Sequence, residues 1–122
     1  MISVNTITNV FDNSGAKLAQ CIKVFKKNKK NDARVGDIIV VSVKKALVKK
    51  KVTKGQVVFG LIIRTKRIIN RLDGTSVKFN ENGIVIVNSL GEPISTRIFG
   101  PVVYELRKKK MMKVLSISSS II

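Results

Sequence analysis

The chemistry available to this sequence belongs to its cations. Lys and Arg number 24 against 7 Asp and Glu, a formal net charge of +17. Nearly all the cations fall in four runs. Six lie between Lys23 and Arg34, answered only by Asp32, and six between Lys44 and Lys54 with no acid at all. Five lie between Arg64 and Lys78 against Asp73, and six between Arg97 and Lys113 against Glu105. Lys17 stands apart. Solvated faces ordinarily mix signs, because interspersed acids relieve repulsion. Runs this one-sided suit phosphates, since each neutralised phosphate releases condensed counterions and gives salt-dependent, largely sequence-independent affinity. The residues expected to meet a nucleic-acid backbone are Lys17, Lys23, Arg34, Lys44, Lys45, Lys49, Lys50, Lys51, Lys54, Arg64, Lys66, Arg67, Arg71 and Lys78.

Little else in the chain could carry chemistry. Histidine, the commonest general base and metal ligand, does not occur. One cysteine and seven scattered carboxylates make no zinc pattern. Gly55 and Gly60 have the spacing of a phosphate-binding loop, but Leu61 and Ile62 stand where that loop needs Lys and Ser or Thr. Asp12 and Asp37 each adjoin turn-forming residues and are expected to stabilise turns. No catalysis, metal, cofactor or small-molecule substrate is expected. Cys21 cannot form an intramolecular disulfide and reads as a small core residue.

The kind of anionic partner follows from the remaining residues. Five Phe, one Tyr and no Trp sit singly in apolar contexts. Single-strand binders need exposed stacking aromatics, and RNA-recognition sheets need a clustered aromatic motif. Folded RNA read by shape and backbone fits better. Membrane docking needs a broad amphipathic helix, and only the C-terminal segment comes near one. The longest apolar run outside the termini, Val57 to Ile63 with Gly60 inside it, is far short of a membrane span. The first sixteen residues hold no Lys or Arg and no long apolar run, so no cleavable signal is expected. A soluble protein is anticipated.

The elements that must carry these residues are strands. "MISVNTITNVF" alternates through Ile2, Val4, Thr6 and Thr8, and "DNSG" (Asp12 to Gly15) supplies a turn. "KLAQCIKVF", "GDIIVVSVKKALV" and "GQVVFGLIIRT" read as three further strands, and "TSVKFNENGIVIVN" as two pieces meeting near Asn82-Gly83. Many short strands with close turns point to a mainly β fold closed into a small barrel, which also removes exposed edges. After Gly100, "PVVYELRKKKMMKVLSI" has roughly helical spacing, with Pro101 suited to a first helical turn. One domain over 1–122 is expected, with the barrel roughly at 1–95 and a short helical region at 96–122.

From Gly60 onward the sequence resembles a known family. "GLII", then "DG", Phe79, Asn82 and "VI" at Val85 follow the signature spacing of the large-subunit ribosomal protein L-fourteen family. "DNSGAK" at Asp12, "CIKV" at Cys21, "VGDII" at Val35, "VTKG" at Val52 and "TRIFGPV" at Thr96 extend the likeness over nearly the whole chain. It looks like the bacterial and organellar branch. The resemblance implies a five-stranded barrel with a protruding β-ribbon and small C-terminal helices. It implies a structural protein of the large ribosomal subunit that binds large-subunit rRNA at the subunit interface. It further implies a part in an intersubunit bridge to small-subunit rRNA, with ribosomal proteins L-three and L-nineteen as neighbours. The family also offers a docking surface to the ribosome silencing factor, and the matching positions here are Thr96, Arg97, Lys113 and Ser116. The chain departs from its relatives in ending "SISSSII", in the Lys-rich loop "KKNKKNDAR", and in carrying Lys108–Lys110 where relatives tend to carry an acid.

Lys occurs 18 times, Ile 16 and Asn 9, residues with A/T-rich codons. A low-GC coding genome is therefore expected, and a mitochondrial matrix location, with a plastid or the cytoplasm of a low-GC bacterium as alternatives. The rival function weighed is a free architectural nucleic-acid-binding protein with a small barrel.

Overall fold

The computed structural model describes residues 2–24, 33–107 and 111–122. The Lys-rich loop and Lys108–Lys110 singled out above lie largely or wholly outside these residues. Five strands form a closed barrel: β1 (Ile7–Val10), β2 (Ala16–Val24), β3 (Ile38–Ala46), β4 (Val57–Arg64) and β7 (Gly83–Val87). Neighbours pair antiparallel, except that closure is a parallel pairing of β1 with β7, with Asn9 opposite Gly83 and Val10 opposite Ile84. A separate hairpin of β5 (Ile69–Asn70) and β6 (Ser76–Val77) lies outside the barrel between β4 and β7. It is the ribbon the resemblance implied.

Side-chain alternation explains the core. In β3, Ile39, Val41 and Val43 point into the barrel, where small residues of β2, Ala16, Ala19 and Cys21, leave them room. β4 and β7 are buried on both faces, which is why they read as unbroken apolar runs. Ile62, Ile84 and Ile86 enter the barrel, whereas Leu61, Ile63, Val85 and Val87 face the opposite way into a second core. Each of these outward residues would forgo about 1.5–3 kcal/mol if left in water. The C-terminal segment covers them with Ile98, Val102, Val103, Leu106, Val114 and Leu115.

Where one or two short helices were expected, that segment holds one, α1 (Met112–Ile117), and a 3-10 turn at Tyr104–Arg107. It also contains strands not foreseen: β8 (Ile98–Val102) pairs in parallel with β9 (Ser118–Ile121). Pro101 belongs to β8 rather than opening a helix. A two-stranded sheet has edges on both sides, and an edge tolerates a residue without an N–H. The N-terminal strand is shorter than its alternation suggested. Asn5 has φ 72, and Ser3 and Thr6 close a turn on each other, Thr6 N donating to Ser3 O at 3.2 Å. Ile2 then pairs with Ala33 and plugs the barrel end.

Cys21 is fully buried inside the barrel, and desolvation pushes its thiol above the ordinary range. We expect the native protein to resist alkylation by iodoacetamide for as long as it stays folded. Reaction as fast as in urea would place Cys21 in water.

Candidate nucleic-acid interface

Barrel topology sorts the cations into two ends. At one end meet the β1–β2 turn, the loop between β3 and β4, and the loop from Asn88 to Arg97. Asp12 builds this end from inside. Its Oδ1 accepts from Ser14 N at 3.1 Å and Ser14 Oγ at 2.5 Å, and its Oδ2 accepts from Ile86 N at 2.9 Å. The buried carboxylate thus serves the turn, as its neighbours in sequence suggested.

The adjoining loop is laid against that turn. Leu47 N donates to Gly15 O at 2.8 Å, and Val52 N donates to Ser14 O at 3.3 Å while its side chain plugs the barrel. Gly15 has φ +102, and a Cβ there would collide with the Lys50 side chain. Glycine is therefore needed for both conformation and space. With its backbone pinned, the loop presents Lys49, Lys50, Lys51 and Lys54 on the surface, beside Lys44, Lys45 and Lys17. Lys51 Nζ donates to Ile94 O at 3.0 Å, tying the loop to the next one. Among the described residues, the carboxylates of this end are both engaged. Asp12 is buried, and Glu92 accepts from Lys113 Nζ at 2.5 Å, which holds the Glu92 carboxyl below its usual range.

Thr96, Arg97, Lys113 and Ser116 gather around the same end. Asn13 Nδ2 donates to Thr96 Oγ1 at 2.9 Å, Thr96 N donates to Asn13 Oδ1 at 3.1 Å, and Asn13 N donates to Arg97 O at 3.3 Å. Arg97 lies over the Phe99 ring at 5.7 Å. Ser116 Oγ donates to the Lys113 carbonyl one helical turn back. Asn13 was not anticipated, and its place in "DNSG" gave no sign of a partner more than eighty residues away.

The other barrel end carries Lys23, Arg34, Lys66, Arg67 and Lys78, all exposed. Lys66 N donates to Asn82 Oδ1 at 3.0 Å, which fixes where the chain leaves the barrel. Arg71 is placed differently from its expected role. Its Nε donates to Glu105 Oε1 at 2.7 Å and its Nη2 to Ile122 O at 2.6 Å, so its charge is taken up inside the protein. It anchors the hairpin to the C-terminal segment.

Arg64 departs furthest from expectation. Sequence placed it among the outward cations, yet it is only 8% exposed. A bulge between Ile62 and Arg64 re-aims the strand end. Its Nε donates to Pro101 O at 2.7 Å, and its Nη2 donates to Phe99 O. The guanidinium sits 4.0 Å from the centre of the Phe11 ring. Gly100, with φ +79, leaves the space it occupies. Burial pushes this group below the usual arginine value, partly offset by Glu81. Arg64 holds β8 to the barrel.

A family model, ribosomal protein L14p/L23e, matches residues 1–122, the whole chain. The chain belongs to that family. It is accordingly a structural constituent of the ribosome, of the large subunit and not an enzyme, and its location is ribosome-associated.

Proposed function

We propose that this member of the L14p/L23e family binds large-subunit rRNA through both basic barrel ends, at the face that meets the small subunit. The observation carrying this reading is the first end. Lys17, Lys44, Lys45, Lys49, Lys50, Lys51 and Lys54 share it, and its two described carboxylates are already occupied. An uncompensated patch of that size on a small barrel favours a polyanion. The surface around Thr96, Arg97, Lys113 and Ser116 contributes to an intersubunit bridge with small-subunit rRNA, and is where a silencing factor docks. L-three and L-nineteen are its protein neighbours. The Lys, Ile and Asn bias supports a low-GC coding genome, and so a mitochondrial member of the bacterial-type branch or, as the alternative, a plastid or low-GC bacterial one.

Sedimentation of organelle or cell lysate through a sucrose gradient tests the placement. The protein is expected in large-subunit and monosome fractions, leaving them only in very high salt. A peak at the top of the gradient under low salt would refute it.

A further inference from the structure

Leu72 is fully exposed, at a relative accessibility of 104%, yet it stands at the tip of a firmly built turn. Arg71 N donates to Thr75 O at 2.9 Å and Gly74 N to Arg71 O at 3.2 Å, with Gly74 at φ +87. Asp73 Oδ1 accepts from Thr75 N at 3.0 Å and Thr75 Oγ1 at 2.6 Å. Beneath the tip, Ile69 and Val77 pair across the hairpin and pack on the second core. Arg71, next in chain to Leu72, is clamped to Glu105 and Ile122 O. An isolated surface leucine on a slack loop would mean little. This one is held out at the end of a braced arm.

We infer that Leu72 is an apolar wedge that packs against an unpaired or bulged nucleobase of the RNA. The inference rests on the rRNA reading above and adds the kind of contact made. Charge complementarity selects RNA over a protein partner. Lys66 and Lys78 are exposed near the root of the hairpin. The nearby carboxylates face arginines already held within the protein: Glu105 pairs with Arg71, Asp73 also faces Arg71, and Glu81 faces Arg64. Cations that seat a ribbon on phosphates bring its tip to the bases, where apolar side chains insert at unstacked steps. In RNA such splayed bases occur in loops and bulges. Arg71 and Glu105 are positioning residues in this arrangement, fixing the reach of the tip.

The test replaces Leu72 with a diazirine-bearing leucine analogue in the full chain, bound to deproteinised large-subunit rRNA and also assembled into large subunits. Irradiation is expected to produce reverse-transcription stops at one or two unpaired nucleotides. Cross-links to a ribosomal protein, or none to RNA, overturn the wedge. In parallel, Leu72→Ser is expected to weaken rRNA binding about five- to tenfold with an unchanged salt slope, because no charge is removed. Equal affinity for Leu72→Ser and wild type, with wild type binding in a salt-dependent manner, overturns the wedge and leaves the rRNA reading standing. Failure of wild type to bind the rRNA at all overturns both.

Discussion

Arg64→Ala is expected to lower the unfolding free energy by about 3 kcal/mol, more than any surface substitution in the protein. The carbonyls of Phe99 and Pro101 would lose their donor in a part-buried setting, at about 1–3 kcal/mol each. The space against the Phe11 ring would empty as well. For a chain of this size the loss corresponds to a fall in Tm of roughly 10 °C. Arg64→Lys should recover only part of it, since an ammonium cannot reproduce the forked donation to two carbonyls. Gly100→Ala should be comparably harmful, because a methyl at φ +79 would be strained and would meet the guanidinium. In combination with Arg64→Ala the two losses should add less than fully, as the clash disappears with the arginine. Urea unfolding of the four proteins measures this cycle. A loss below about 1 kcal/mol for Arg64→Ala would mean that β8 is held by its apolar packing and by backbone bonds such as Phe99 N to Phe11 O at 2.8 Å, not by the arginine.

The second large effect concerns binding and leaves the fold intact. Changing Lys49, Lys50 and Lys51 together to Glu should lower rRNA affinity by about two to three orders of magnitude at low salt, and flatten its salt slope by roughly 2–3. All three side chains are exposed, so stability should change little. Lys51 makes one contact besides, its Nζ to Ile94 O. Lys51→Gln therefore serves as a control for local loop loosening. Filter binding across a salt series reads both affinity and slope. A slope equal to that of wild type would show that this loop faces solvent in the complex.

These two predictions concern cations that look alike in the sequence, and their different fates show where the sequence stops informing. Lysines 49 to 51 lie in a loop with no acid for ten residues, and runs of that kind stay outside whatever the fold. Arg64 ends an apolar strand, a context that suits either a protruding ribbon or a buried end. Choosing between them requires knowing that β8 returns past the barrel with two carbonyls and a glycine facing that point. Arg71 is similar. Glu105 could be counted as an acid beside a basic run, but its pairing with a residue 34 positions earlier depends on where the C-terminal segment folds back.

The strands were legible because period-two alternation is a local property, as in Ile39, Val41 and Val43. The double-sided burial of β4 and β7 was legible too, as runs of Leu, Ile and Val without interruption. The start of β1 was not, because Asn5 adopts a positive φ that breaks an otherwise regular alternation. The parallel β8–β9 pair was not either. Ser118–Ser120 has no apolar pattern, and only its partner strand makes it extended.

By itself, then, the sequence determined the barrel, the excess of positive charge and the family signature, since each is written in neighbouring residues or in composition. Tertiary structure alone decided that Arg64 and Arg71, unlike the lysines of the long basic loop, are spent within the protein. It also brought Asn13 to Thr96 and Lys113 to Glu92, and raised Leu72 on a braced tip. Those outcomes depend on distances between segments far apart in the chain, and such distances exist only once the barrel has closed.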